Sequence, residues 1–130
     1  MKRSSLWRLS AIVVGILPAA ASYLLVFPDP RLPLAAELAW RMGAVVLMYL
    51  AFGAVFGFLR PGRGWEWGLE IGVPAMVILG FVAPMSLRYD VLSGFAIALS
   101  ALALALIGGC AGGALGSRLA LRRDPAAAGR

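Results

Sequence analysis

Between residues 58 and 72 the chain reads FLRPGRGWEWGLEIG, which places Arg60, Arg63, Glu66 and Glu70 beside Trp65 and Trp67. No other stretch gathers as many groups able to do chemistry. Carboxylates four residues apart share one helix face, so Glu66 and Glu70 could receive a cation, a partner's basic surface, or a proton at a membrane surface. A simpler reading puts them near the start of a helix, where the dipole favours negative charge and the two arginines pair with them. The simpler reading prevails, because the cluster lies at the edge of an apolar run, at headgroup level, where charge is cheap. A carboxylate deep within such a run would be a functional signal in itself, and none of the apolar runs contains one.

The remaining chemistry is sparse. His, Asn, Gln and Thr do not occur, which removes the usual general base at neutral pH and most neutral side-chain donors. Cys110 is the only cysteine; one chain therefore holds neither a disulfide nor a cysteine-based metal cluster, and a thiol in a Gly-rich helix reads as a small packing residue. Tyr23, Tyr49 and Tyr89 are isolated, and the serines offer no nucleophile paired with a base. The expectation is a protein that is not an enzyme and carries no cofactor and no metal. Small four-helix multidrug transporters depend on a buried glutamate in their first helix, and residues 9–27 hold no acidic residue. Small four-helix fluoride channels depend on pore motifs with Asn and Thr, which are missing.

The elements that must position the cluster follow from composition. Of 130 residues, 62% are hydrophobic and only 14% charged, with a mean hydropathy of +0.89. A soluble domain of this size has no interior large enough for that apolar surface. Uncharged runs cover residues 9–28, 42–59, 71–87 and 91–117, each near the roughly 17–25 residues that cross a bilayer as a helix. They are continuous and do not alternate, which excludes a barrel. The fold class expected is all-α: four transmembrane helices over about 9–27, 39–59, 65–87 and 91–117, in one antiparallel bundle. Pro18, Pro74 and Pro84 fall inside these runs and predict kinks or loosening.

For the first run a second reading exists, a signal peptide with its apolar region over 9–17 and cleavage near 19–21. Apolar character continues to Phe27, which favours a retained helix. Residues 27–33, FPDPRLP, break the chain; residues 60–64, RPGRG, make a turn short enough to force antiparallel neighbours. Glu37 and Arg41 lie four apart beside Trp40. Trp7, Trp40, Trp65 and Trp67 read as anchors at the membrane interface. With both termini cytoplasmic, that side holds Lys2, Arg3, Arg8, Arg60, Arg63, Arg118, Arg122, Arg123 and Arg130, against Arg31, Arg41 and Arg88 opposite. This nine-to-three bias orients the bundle. The charge of +6 is dispersed over helix ends, so nucleic acid is not an expected partner. Residues 1–8 form a basic N-terminus and residues 118–130 read as a disordered basic tail able to meet anionic lipid.

Small residues recur at helical spacing: Gly53 and Gly57; Gly64, Gly68 and Gly72; and Gly108, Gly112 and Gly116, with a second row of Ala101, Ala105, Gly109 and Gly113. Such rows let helix backbones approach in lipid, where apolar area alone gives helices little reason to associate. Whether the facing helix belongs to this chain or to a second copy is left open by the sequence. The Gly-x-Leu-Arg-Pro pattern at residues 57–61, followed by Gly-Trp-x-Trp-Gly at 64–68, resembles small four-helix bacterial membrane proteins and implies a topology without an activity. The functional expectation is a bacterial inner-membrane protein that is structural or accessory. Its partners would be the bilayer and either a homo-oligomer or a larger membrane complex, met through small-residue helix faces. The alternative is a small homo-oligomeric channel or transporter with Arg60, Arg63, Glu66 and Glu70 at its cytoplasmic mouth.

Overall fold

The structure, a computed structural model, describes residues 3–26, 35–82 and 91–126. These form four helices: α1 (Arg3–Val26), α2 (Ala35–Leu59), α3 (Gly64–Val77, continued by a wider π turn over Ile78–Val82) and α4 (Val91–Arg123). Three apolar segments within them, Ser5–Leu25, Leu38–Leu59 and Phe95–Arg123, are long and apolar enough to cross a membrane. The helical bundle and its membrane-compatible helices therefore agree with the sequence. Of the third run expected over 65–87, the structure describes residues 64–82, and residues 83–87 lie outside the described residues. Pro84 and the connection at residues 87–90 lie outside the described residues, as do residues 27–33 with Arg31 and the side chain of Glu37.

Helix ends differ from hydropathy boundaries for a physical reason. Hydropathy marks where charge stops being tolerated in hydrocarbon, whereas backbone hydrogen bonding continues through Arg and, at a small cost, through Ser. α1 accordingly starts at Arg3, and α4 runs through Arg118, Arg122 and Arg123 where the sequence suggests a tail. At 33 residues and about 1.5 Å per residue, α4 is roughly 50 Å long. α1 passes through Pro18 without interruption. In α3, Pro74 lacks the amide that would bond to the Glu70 carbonyl, and four residues later the ladder widens into the π turn. Insertions of this kind are a recognised response to a disturbed helix ladder.

The helices alternate in direction. Trp7 of α1 lies beside Arg60 at the end of α2, while Arg41 near the start of α2 donates to the Leu25 carbonyl at the end of α1, 3.1 Å. Gly64, Gly68 and Gly72 of α3 face Gly113, Gly109 and Leu106 of α4 in turn, so these two also run antiparallel. α2 and α4 run parallel, with Val46, Leu50 and Ala54 facing Gly108, Gly112 and Gly116. The start of α1, the α2–α3 turn and the end of α4 thus meet at one end.

The core follows helical spacing. α1 buries Ala11, Gly15, Pro18, Ala19 and Ser22; α2 buries Val45, Tyr49, Gly53, Phe56 and Gly57; α3 buries Trp67, Gly68, Ile71, Gly72, Ala75 and Leu79. α4 contributes almost only Ala and Gly. Large apolar side chains point outward: Leu17, Leu47 and Phe81 are 67%, 67% and 70% exposed. Inside-out distribution of this kind suits a helix bundle whose solvent is lipid.

Candidate functional site

Two features could carry function: the small-residue seam along α4 and a charged cleft at the end of the bundle. In the seam, one row of α4, Gly108, Gly112 and Gly116, lies on the carbonyls of Val46, Leu50 and Ala54; a β-carbon at any of the three would overlap that backbone. The adjacent row, Gly109 and Gly113, meets Gly53 and Gly57 of α2 on one side and Gly64 and Gly68 of α3 on the other. Gly72 differs, since only the flexible tip of Leu106 stands in its way. Nine of these ten glycines therefore lie against backbone of a neighbouring helix, and that helix belongs to the same chain.

Sequence spacing found those rows but missed Gly15, which seats α1 on the Ile71 carbonyl of α3. Its signal was present as the period of Ala11, Gly15, Pro18 and Ser22, masked because Ala and Gly are common throughout the chain. Cys110 lies half-buried in the same seam, with its backbone amide against Gly68. Three hydroxyl side chains are buried in the bundle among the described residues: that of Tyr49, which has no hydrogen-bond partner, and those of Ser22 and Ser117. Both serines donate to a backbone carbonyl, Ser22 to Pro18 at 2.6 Å and Ser117 to Gly57 at 3.3 Å. The second is a cross-helix bond that ties α4 to α2.

The cleft encloses about 910 Å³ between the start of α1, the α2–α3 turn, the first turns of α3 and the end of α4. All four residues of the sequence cluster line it, joined by Arg8, Arg123 and Asp124. Arg63 and Glu66 pair at 3.3 Å, three residues apart and largely exposed on the arginine side. Glu70 instead pairs with Arg8 of α1, Nε to Oε1 at 3.3 Å, with the carboxylate side chain only 19% exposed. The expected pairing thus holds for one carboxylate, and the other recruits an arginine distant in sequence. Arg60 meets an aromatic ring: its guanidinium carbon lies 5.7 Å from the centroid of Trp7. Glu70 Oε2 is buried without a hydrogen-bond partner.

The tryptophans divide. Trp40 and Trp65 are 57% and 56% exposed, Trp7 is half-buried against Arg60, and Trp67 is only 8% exposed. Trp67 Nε1 donates to the Arg60 carbonyl at 3.1 Å, and its ring lies 5.9 Å from that of Phe56. It closes the turn from inside. Together with the Arg60 amide on the Phe56 carbonyl, 3.0 Å, and the Glu66 amide on the Arg63 carbonyl, 3.1 Å, this fixes the backbone that presents the cluster.

Among the described residues, no three of His, Cys, Asp and Glu come together in a way that could hold a metal ion. No protein family, curated protein or solved structure matches the chain.

Proposed function

We propose that the chain is a four-span bacterial inner-membrane protein with both termini and the α2–α3 turn on the cytoplasmic side, serving as a non-enzymatic structural or accessory subunit. Three apolar helices suited to crossing a membrane support the first part. Residues 64–82 of α3 and its π turn extend roughly 28 Å at about 1.5 Å per residue, close to the hydrocarbon thickness. Nine of the twelve basic residues fall on the side assigned to the cytoplasm. Reporter fusions after Arg63 and after Arg130 should both read cytoplasmic and a fusion at Asp29 should read external; a cytoplasmic reading at Asp29 rejects this topology.

The observation that carries the accessory role is the seam. Backbone-to-backbone contact brings α2 and α3 close against α4, and Ser22 and Ser117 are both hydrogen-bonded to carbonyls. Close packing of this kind supports a scaffolding role. Because the glycine rows lie inside the chain, association with a second copy or a larger assembly runs over the outward apolar surface, where Leu17, Leu24 and Ile107 are 67%, 64% and 62% exposed. Capture from mild detergent followed by intact-complex mass measurement should find the chain with a partner or with itself. A lone protomer would reject the role. Ion or drug flux in liposomes that disappears in Glu70→Ala would replace it with the channel or transporter alternative.

A further inference from the structure

Charge in the end cleft does not balance. Glu70 is met by Arg8 and Glu66 by Arg63, and Asp124 Oδ1 accepts the Ala126 amide at 3.1 Å. Arg60 and Arg123 line the same cleft, and neither has an ion-pair partner among the described residues. The guanidinium carbon of Arg60 lies 5.7 Å from the Trp7 ring centroid, a contact with a neutral π system that leaves the positive charge without a counter-charge. Arg8 uses Nε on Glu70, so its two terminal nitrogens remain as donors. Four guanidinium groups, of Arg8, Arg60, Arg63 and Arg123, thus face three carboxylates, of Glu66, Glu70 and Asp124. Such a site repels cations and suits an anion with several acceptor oxygens, for which phosphate is the best match.

The walls narrow the choice. Phe58 and Leu59 line the cleft while 41% and 55% exposed. A small soluble anion has no use for that surface. A phospholipid does, because its phosphate and its acyl chains leave the same glycerol. The geometry points to a binding site for the phosphate of an anionic phospholipid, gripped by Arg60 and Arg123, with Arg8 and Arg63 at its edges and an acyl chain along Phe58 and Leu59. This rests on the membrane reading and is independent of the accessory role.

The test uses the full chain in mild detergent, exposed to phosphatidylglycerol or phosphatidylcholine and weighed intact by native mass spectrometry. The wild type should retain phosphatidylglycerol in preference. The double variant Arg60→Ala with Arg123→Ala should lower that retention about ten-fold or more, since two charge-assisted contacts are lost. The control Arg118→Ala with Arg122→Ala removes equal charge from the exposed end of α4 outside the cleft, and should change retention less than about two-fold. Equal losses in the two doubles, or no preference between lipids, would overturn the site. If the first double does not fold, Arg123→Ala alone, at an exposed helix end, should still weaken retention; wild-type retention there would overturn it. Excess inorganic phosphate at constant ionic strength should leave the lipid bound; displacement would overturn the lipid in favour of a soluble phosphate compound.

Discussion

The α4 seam and the end cleft are built from opposite materials. The seam has almost no side chains: Gly109 and Gly113 touch Gly53, Gly57, Gly64 and Gly68 through backbone atoms. The cleft is mostly side chain, with long arginines from α1, the turn and α4 converging on the first turns of α3. In the seam any added atom must displace a main chain, so its tolerance is low. In the cleft water and headgroups can replace a missing partner, so its tolerance is high and its electrostatics are adjustable. A bundle rigid in its interior and soft at one end is suited to recognition at that end.

The largest effect should follow Gly112→Leu. Its side chain would be driven into the Leu50 carbonyl, and overpacking against backbone costs about 3 kcal/mol or more. Thermal unfolding in mild detergent should show loss of the cooperative transition. Gly43→Ala, which meets nothing, should be neutral or raise stability by up to about 1 kcal/mol through helix propensity. Equal behaviour of the two variants would break the distinction between seam and periphery.

Next comes Trp67→Phe, where the two regions touch. It removes the bond from Nε1 to the Arg60 carbonyl and part of the contact with Phe56, a loss of about 1–2 kcal/mol. The same variant should loosen the backbone carrying Arg60. Hydrogen exchange at residues 60–63 therefore rises more than exchange in the middle of α2; uniform change would mean that Trp67 acts as general core.

Arg8→Ala should cost less, about 0.5–1 kcal/mol, because the arginine is 55% exposed and solvent screens the pair. Glu70→Gln measured alongside it decides whether the pair matters as a pair: the double variant should cost less than the sum of the singles. Additive losses would detach α1 from the cleft.

Both regions were only half legible in sequence, for different reasons. Leu59 ends α2 where the apolar run ends, because Pro61 follows two residues later. The small-residue rows were visible because a period of four needs no knowledge of the partner. Their mates were not: Gly108, Gly112 and Gly116 lie on Val46, Leu50 and Ala54, whose side chains carry no signal for a contact made by their carbonyls. Arg60, Arg63, Glu66 and Glu70 formed a cluster on paper because they are close in sequence. Trp7, Arg8 and Arg123 join them only through the alternating directions of the helices, and no local pattern encodes that. Residue type alone does not separate Trp67 from the interfacial tryptophans; its burial depends on which face of α3 meets α2.

The smallest effect is expected at Arg63, and it defines the boundary of the cleft. Arg63 reaches Glu66 at 3.3 Å with its own side chain 68% exposed and the partner only three residues away. An ion pair of that geometry contributes at most about 0.5 kcal/mol, since holding two long side chains together offsets most of a screened attraction. Arg63→Ala should therefore unfold within about 0.5 kcal/mol of the wild type, and raising the salt concentration should erase even that difference. A loss well above that value, or one that persists in high salt, would place the Arg63–Glu66 pair in a dry environment. The cleft would then belong with the seam as structure, and its guanidinium excess would be a feature of folding instead of recognition.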